Sequence, residues 1–140
     1  MMAIERLIPD TVYDVLPGGR SVEELYSQVV RAKGTEQIHV SGTTSLDTDG
    51  NVVGADDMQT QVQTTLDNIE KSLAAVDADV EDVVRIKIYT VDVPRYVDAG
   101  SSELRSFFGA ENMPASTLLG IDALADPDLL VEIEATAVTN

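Results

Sequence analysis

Two short stretches carry the side chains best suited to chemistry. One is Met113-Pro114-Ala115-Ser116-Thr117; the other is the alternating segment Val131-Glu132-Ile133-Glu134-Ala135-Thr136-Ala137. Glu132 and Glu134 stand two residues apart, so a strand would turn both carboxylates to the same side. Carboxylates so placed can take part in proton transfer or can be ordinary solvated, ion-paired strand residues. Ser116 offers a single hydroxyl without charge, and with Thr117 it also reads simply as the start of a strand. Other signals carry less. His39 is the only histidine and the chain has no cysteine, so zinc ligation and a Ser-His-Asp arrangement both lack partners. Asp47-Thr48-Asp49-Gly50-Asn51 begins like a calcium-binding loop, but its twelfth position is Met58 and its glycine comes fourth, which favours a turn. Gly18-Gly19 is not followed by a phosphate-loop lysine. Nothing in the sequence calls for a metal or cofactor.

The elements that must position these residues follow from periodicity and punctuation. A short first strand is expected at about residues 3–7, then a loop over 8–23 containing Pro9, Pro17, Gly18 and Gly19. Strands over 26–32 and 37–41 are joined by Gly34-Thr35, with Ile38 and Val40 alternating against Gln37, His39 and Ser41. Met58, Val62, Leu66, Ile69 and Leu73 form one apolar stripe, which predicts an amphipathic helix capped by Asp56 or Asp57 and running to about Val76. A β-branched strand runs from Val83 to Val91 and Pro94 stops it; a second helix covers about 97–108, with Leu104, Phe107 and Phe108 inward and Gly109 at its end. Strands at about 116–121 and 129–138 close the chain. This order predicts an α+β domain, a mixed sheet with two helices on one face. Both sides of the last strand carry apolar residues, so its second face expects a cover, and a neighbouring subunit would provide one.

Composition narrows the function classes. The chain has 140 residues, enough for one domain with a real core, and no long apolar run that would span a membrane. No secretory signal is visible at the N-terminus, so a cytoplasmic protein is the expectation. The 25 acids outnumber 9 bases, giving a net charge of −16, and they spread evenly along the chain. Repulsion at this charge is relieved by counterions, whose screening length falls to roughly 3 Å at 1 M salt. An acidic surface adapted to a salt-rich cytoplasm explains the pattern. Nucleic acid binding is disfavoured, because phosphate contacts need a basic footprint.

The stretch 113–117 and the strand 131–137, together with Tyr26-Ser27-Gln28-Val29-Val30 and Val40-Ser41-Gly42, resemble the RidA (YjgF) family of small trimeric proteins. The resemblance covers nearly the whole chain from about Tyr26 onward. It implies a chorismate-mutase-like fold and a homotrimer with three clefts between subunits, where members hydrolyse reactive enamines and imines. It also implies roles: Tyr26 lines the cleft, the backbone at Gly42 lies against the ligand, and Glu132 orients or activates the attacking water. At Ser116 the chain departs from the family's deaminases, which carry an arginine that grips the substrate carboxylate in a bidentate fashion. Losing such a pair costs about 1.5–3 kcal/mol of binding. None of Arg6, Arg20, Arg31, Arg85, Arg95 or Arg105 can be assigned that task from sequence. Two readings follow: a small-molecule-binding trimer that hydrolyses an altered imine or enamine, and a non-catalytic ligand-binding or regulatory trimer. The family's historical ribonuclease label is disfavoured by the net charge.

Overall fold

The computed structural model describes residues 3–140. Strand β1 (Ala3–Leu7) pairs antiparallel with β2 (Val29–Lys33) in a two-stranded sheet. The main sheet contains β3 (Glu36–Thr43), β4 (Val83–Thr90), β5 (Ala115–Gly120) and β6 (Val131–Thr139) in the order β3-β6-β4-β5. The pairs β3–β6 and β6–β4 are antiparallel, whereas β4 and β5 are parallel. A parallel pair needs a crossover, and helices α2 (Val93–Ala99) and α3 (Ser101–Phe108) supply it. Helix α1 (Met58–Ala74) packs on the same side of the sheet. This is the mixed-sheet α+β arrangement expected from the sequence.

The α1 stripe behaves as its spacing requires: Met58, Val62, Leu66, Ile69 and Leu73 are buried against Ile86, Ile88, Ile133, Ala135 and Ala137 of the sheet. Asp57 caps the helix, accepting from the Thr60 amide at 3.1 Å. Asp56 lies in the left-handed region at φ +58° and pairs instead with Arg95.

Polar residues of α1 do work that its apolar stripe does not reveal. Gln61 is fully buried; its amide nitrogen donates to the carbonyls of Gly54 and Asp128, and its oxygen accepts from the Leu130 amide at 2.8 Å. Asn68 donates to the carbonyls of Thr44 and Leu46. One helix thereby fixes the chain just after β3 and just before β6.

Two expectations need correction. The second helix is two helices, starting at Val93 rather than 97 and broken at Gly100. Asp92 caps the first of them through the Arg95 amide, and Pro94 sits in its opening turn, where a missing N–H costs nothing. The break lies where the chain approaches α1 closely: a Cβ on Gly100 would stand 2.9 Å from Val62 Cγ2. Tyr26 does not begin a strand either. It follows a short 3₁₀ turn (Val22–Glu24) held by fully buried Val22, and its amide donates to the Val22 carbonyl. Arg105 donates to the Glu23 carbonyl at 2.9 Å and ties α3 to that turn.

Candidate functional site

Strand register decides where the candidate residues face. Ser116 pairs with Ile86 and Leu118 with Ile88, so both point to the helix side of the sheet. Glu132 pairs with Tyr89 and Glu134 with Lys87, which places both carboxylates on the opposite, helix-free face. The four residues singled out in the sequence therefore fall into two pairs, on two sides of one sheet.

The first pair is Tyr26 and Ser116. Ser27 is the device that joins them: its hydroxyl donates to the Met113 carbonyl at 2.6 Å and its amide donates to the Pro114 carbonyl. This pins the N-terminal segment against the start of β5. Tyr26 and Ser116 then line a common cavity of about 350 Å³, with Ile88, Tyr96, Leu104 and Leu118 supplying much of an apolar wall. That volume lies at the lower end of ordinary small-molecule pockets. Burial pushes the Tyr96 phenol above its ordinary pKa, and the nearby Arg20 charge pulls the other way. The Tyr26 phenol is also raised, first by burial and then by the neighbouring Tyr13 phenol. Both phenols stay protonated at neutral pH and can donate.

The second pair is Gly42 and Glu132. The β3–β6 register shifts between Val40 and Thr43, a bulge that carries Gly42 over the Glu132 side chain. A Cβ there would come within 2.8 Å of the Glu132 carboxyl carbon, so the carboxylate occupies space that only glycine leaves free. Glu134, two residues on, accepts a hydrogen bond from the Tyr89 hydroxyl, and this bond raises the tyrosine pKa. Among the described residues neither Glu132 nor Glu134 has a cationic partner within 4.0 Å, the ion pairs being Arg31–Glu5 and Arg95–Asp56. The two carboxylates differ in role: Glu134 is engaged by Tyr89, while Glu132 is set by the bulge.

The remaining signals resolve as structure. His39 is exposed, with Thr136 beside its ring. Asp47 accepts from the amides of Asp49 and Asn51, the turn expected there. Among the described residues no cluster of histidine and carboxylates could hold a metal ion, and no helix is long and apolar enough to cross a membrane.

One residue of the cavity had no signal in the sequence. Arg20, at the end of the Pro17-Gly18-Gly19 turn, reaches the same cavity as Ser116 and donates to Ser101 Oγ at 3.0 Å. Sequence spacing cannot show this, because the two residues lie nearly a hundred positions apart.

Comparison with known proteins agrees with the architecture. The family described as Endoribonuclease L-PSP matches residues 20–139. A RutC family protein of Pyrococcus abyssi is 28% identical over 112 residues, covering 80% of this chain and 84% of its own length. Among solved structures, a conserved Rid family protein of unknown function from Yersinia pestis, YyfB, superposes with a TM-score of 0.85 at 31% identity, over 96% of this chain and 98% of that one. A Mycobacterium tuberculosis member of the YjgF/YER057c/UK114 family gives a TM-score of 0.61 at 29% identity, over 98% of this chain and all of the other (100%).

Proposed function

The chain belongs to the RidA/YjgF family and has its chorismate-mutase-like fold, and from that premise we propose that it is a homotrimer binding a small planar metabolite in clefts between subunits. The observation that carries this reading is the division of the site. Tyr26 and Ser116 face one side of the sheet, Gly42 and Glu132 the other, so a single ligand would reach both halves where a second copy brings its Glu132 half against the Tyr26 half. The helix-free face supports the same assembly: Thr136 and Val138 are only half-buried there within one subunit, and Leu119 at the sheet edge is 41% exposed.

In such a cleft Glu132 would act on an imine, or on an enamine that tautomerises to one. Hydrolysis adds water to the C=N carbon, transfers a proton to nitrogen and expels ammonia, leaving a carbonyl. Glu132 would take the proton from water and return it to the departing nitrogen, work that a placed carboxylate can speed by about 10²–10⁴-fold. Ser116 contributes a neutral donor where the family's deaminases have arginine. The ribonuclease activity in the family's description does not suit a chain of net charge −16.

The test is 2-aminoacrylate hydrolysis in molar salt by the native protein, Ser116→Arg and Glu132→Gln, with mass by light scattering. Native activity that falls about a hundred-fold or more in Glu132→Gln supports an enzyme. Activity only in Ser116→Arg means an intact cleft tuned to another ligand. A monomer, or a Glu132→Gln variant unchanged in hydrolysis and ligand binding, would sink the site assignment.

A further inference from the structure

We propose that Arg20 is the carboxylate anchor of this cleft, and that its ligand is a small monocarboxylate with an apolar or aryl body. The inference rests on reading the Tyr26–Ser116 cavity as a ligand cleft, and it deepens that reading by naming the ligand class. It begins with a contrast of charge. In a chain with 25 acids, no aspartate or glutamate lines this cavity, and Arg20 is its one charged residue. An anion approaching a protein of net charge −16 is repelled overall, so a local cation in a carboxylate-free pocket is what would hold it.

Arg20 is also available. Among the described residues it has no carboxylate within 4.0 Å. Glu24 lines only the adjoining shallow recess, which Arg20 and Ser101 share. One terminal nitrogen of Arg20 donates to Ser101 Oγ, and the Ser101 hydroxyl in turn donates to the Val97 carbonyl at 2.7 Å. That relay fixes the guanidinium and leaves most of its five N–H donors for a planar acceptor.

The backbone beneath Arg20 is built to hold it still. Pro17, Gly18 (φ +92°) and Gly19 (φ +84°) turn the chain back on itself. The Leu16 amide donates to the Arg20 carbonyl at 2.8 Å, the Gly19 amide donates to the Leu16 carbonyl, and Val15 bridges to Ser21. A side chain on so constrained a loop loses little entropy when it binds. Most of the remaining wall, Leu25, Ile88, Leu104 and Leu118 among it, is apolar, and its polar atoms come from the uncharged Tyr26, Tyr96, Ser101 and Ser116, which suits a hydrophobic body rather than a second charge. Arg20 thus offers, from the N-terminal loop, the bidentate fork that Ser116 cannot.

The experiment measures benzoate and its neutral counterpart benzamide by calorimetry on the native trimer, Arg20→Gln, Arg20→Lys and Ser116→Arg. The native protein is expected to prefer benzoate by roughly ten- to a hundred-fold. In Arg20→Gln that preference should vanish while benzamide affinity stays put, and Arg20→Lys should keep part of it. An unchanged ratio in Arg20→Gln overturns the assignment and leaves the cleft standing, as does equal loss of both ligands, which would mark a structural role. If the native protein ignores benzoate but Ser116→Arg binds it, the cleft is real and Arg20 is not its anchor. If neither binds, the cleft reading itself falls and takes this inference with it.

Discussion

At the residue scale, the proposed site turns on charge at Ser116 and Arg20 and on bulk at Gly42. Ser116 removes the charge expected at the end of the Pro114-Ala115 run, while Arg20 brings a charge to the same cavity from another part of the chain. Gly42 is the steric counterpart, because the space a side chain would fill holds the Glu132 carboxylate. Gly42→Ala should therefore leave stability nearly unchanged, since the strand backbone accepts alanine, yet push Glu132 out of position. Displacements near 1 Å at a reacting group cost about a hundred-fold. The loss should appear in imine hydrolysis, or in ligand affinity if the protein only binds. A variant that keeps both at native levels would show that Glu132 does not need its present position.

At the element scale, α1 holds the segment that leads into Glu132, in the open-face half of the proposed site. Gln61 satisfies the Gly54 and Asp128 carbonyls and the Leu130 amide, two residues before Glu132. Gln61→Ala strands those groups in a dry environment and should cost about 2 kcal/mol or more, read as a lower melting temperature. Gln61→Leu should be no better, because it restores bulk without the hydrogen bonds. The cap at Asp57 gives a pH prediction. Its carboxylate is held below the ordinary range, first by the Thr60 amide and then by the Thr60 hydroxyl. A depressed folded pKa means the stabilising contribution is complete above the unfolded value near 3.9 and is lost as pH falls through the folded one. The stability difference between the native protein and Asp57→Ala should be constant near neutrality and close as the solution is acidified. A gap that widens on acidification would show the sign to be wrong.

At the scale of the whole molecule, charge dominates. Of 25 acids, Glu5 and Asp56 are the ones with a basic partner within 4.0 Å among the described residues, and both pairs are at the surface. Nine bases cannot offset the remaining repulsion, and counterions would relieve it. The melting temperature should rise steadily from low to molar salt, and the proposed trimer should gain with it, because association concentrates like charge. A flat or falling profile by calorimetry would mean that the acids are not a burden on the fold.

The sequence by itself determined the layers. The Met58–Leu73 stripe specified α1 and its buried face, and the alternation of 129–138 specified which residues of β6 share a side, because period is a local property of the chain; that the Val131, Ile133, Ala135 and Ala137 side is the one that meets α1 came from the fold. It also marked Ser116 and Glu132 as residues of interest through the stretches around them. The break at Gly100 escaped it, since the close approach of that glycine to Val62 on another helix is a tertiary contact. Only the tertiary structure decided that Ser116 and Glu132 face opposite sides of one sheet. That outcome depends on register between strands, and one step of register turns a side chain over. The tertiary structure alone also placed Arg20 in the cavity with Ser116, because a loop has no period and its side chains are positioned by what they pack against.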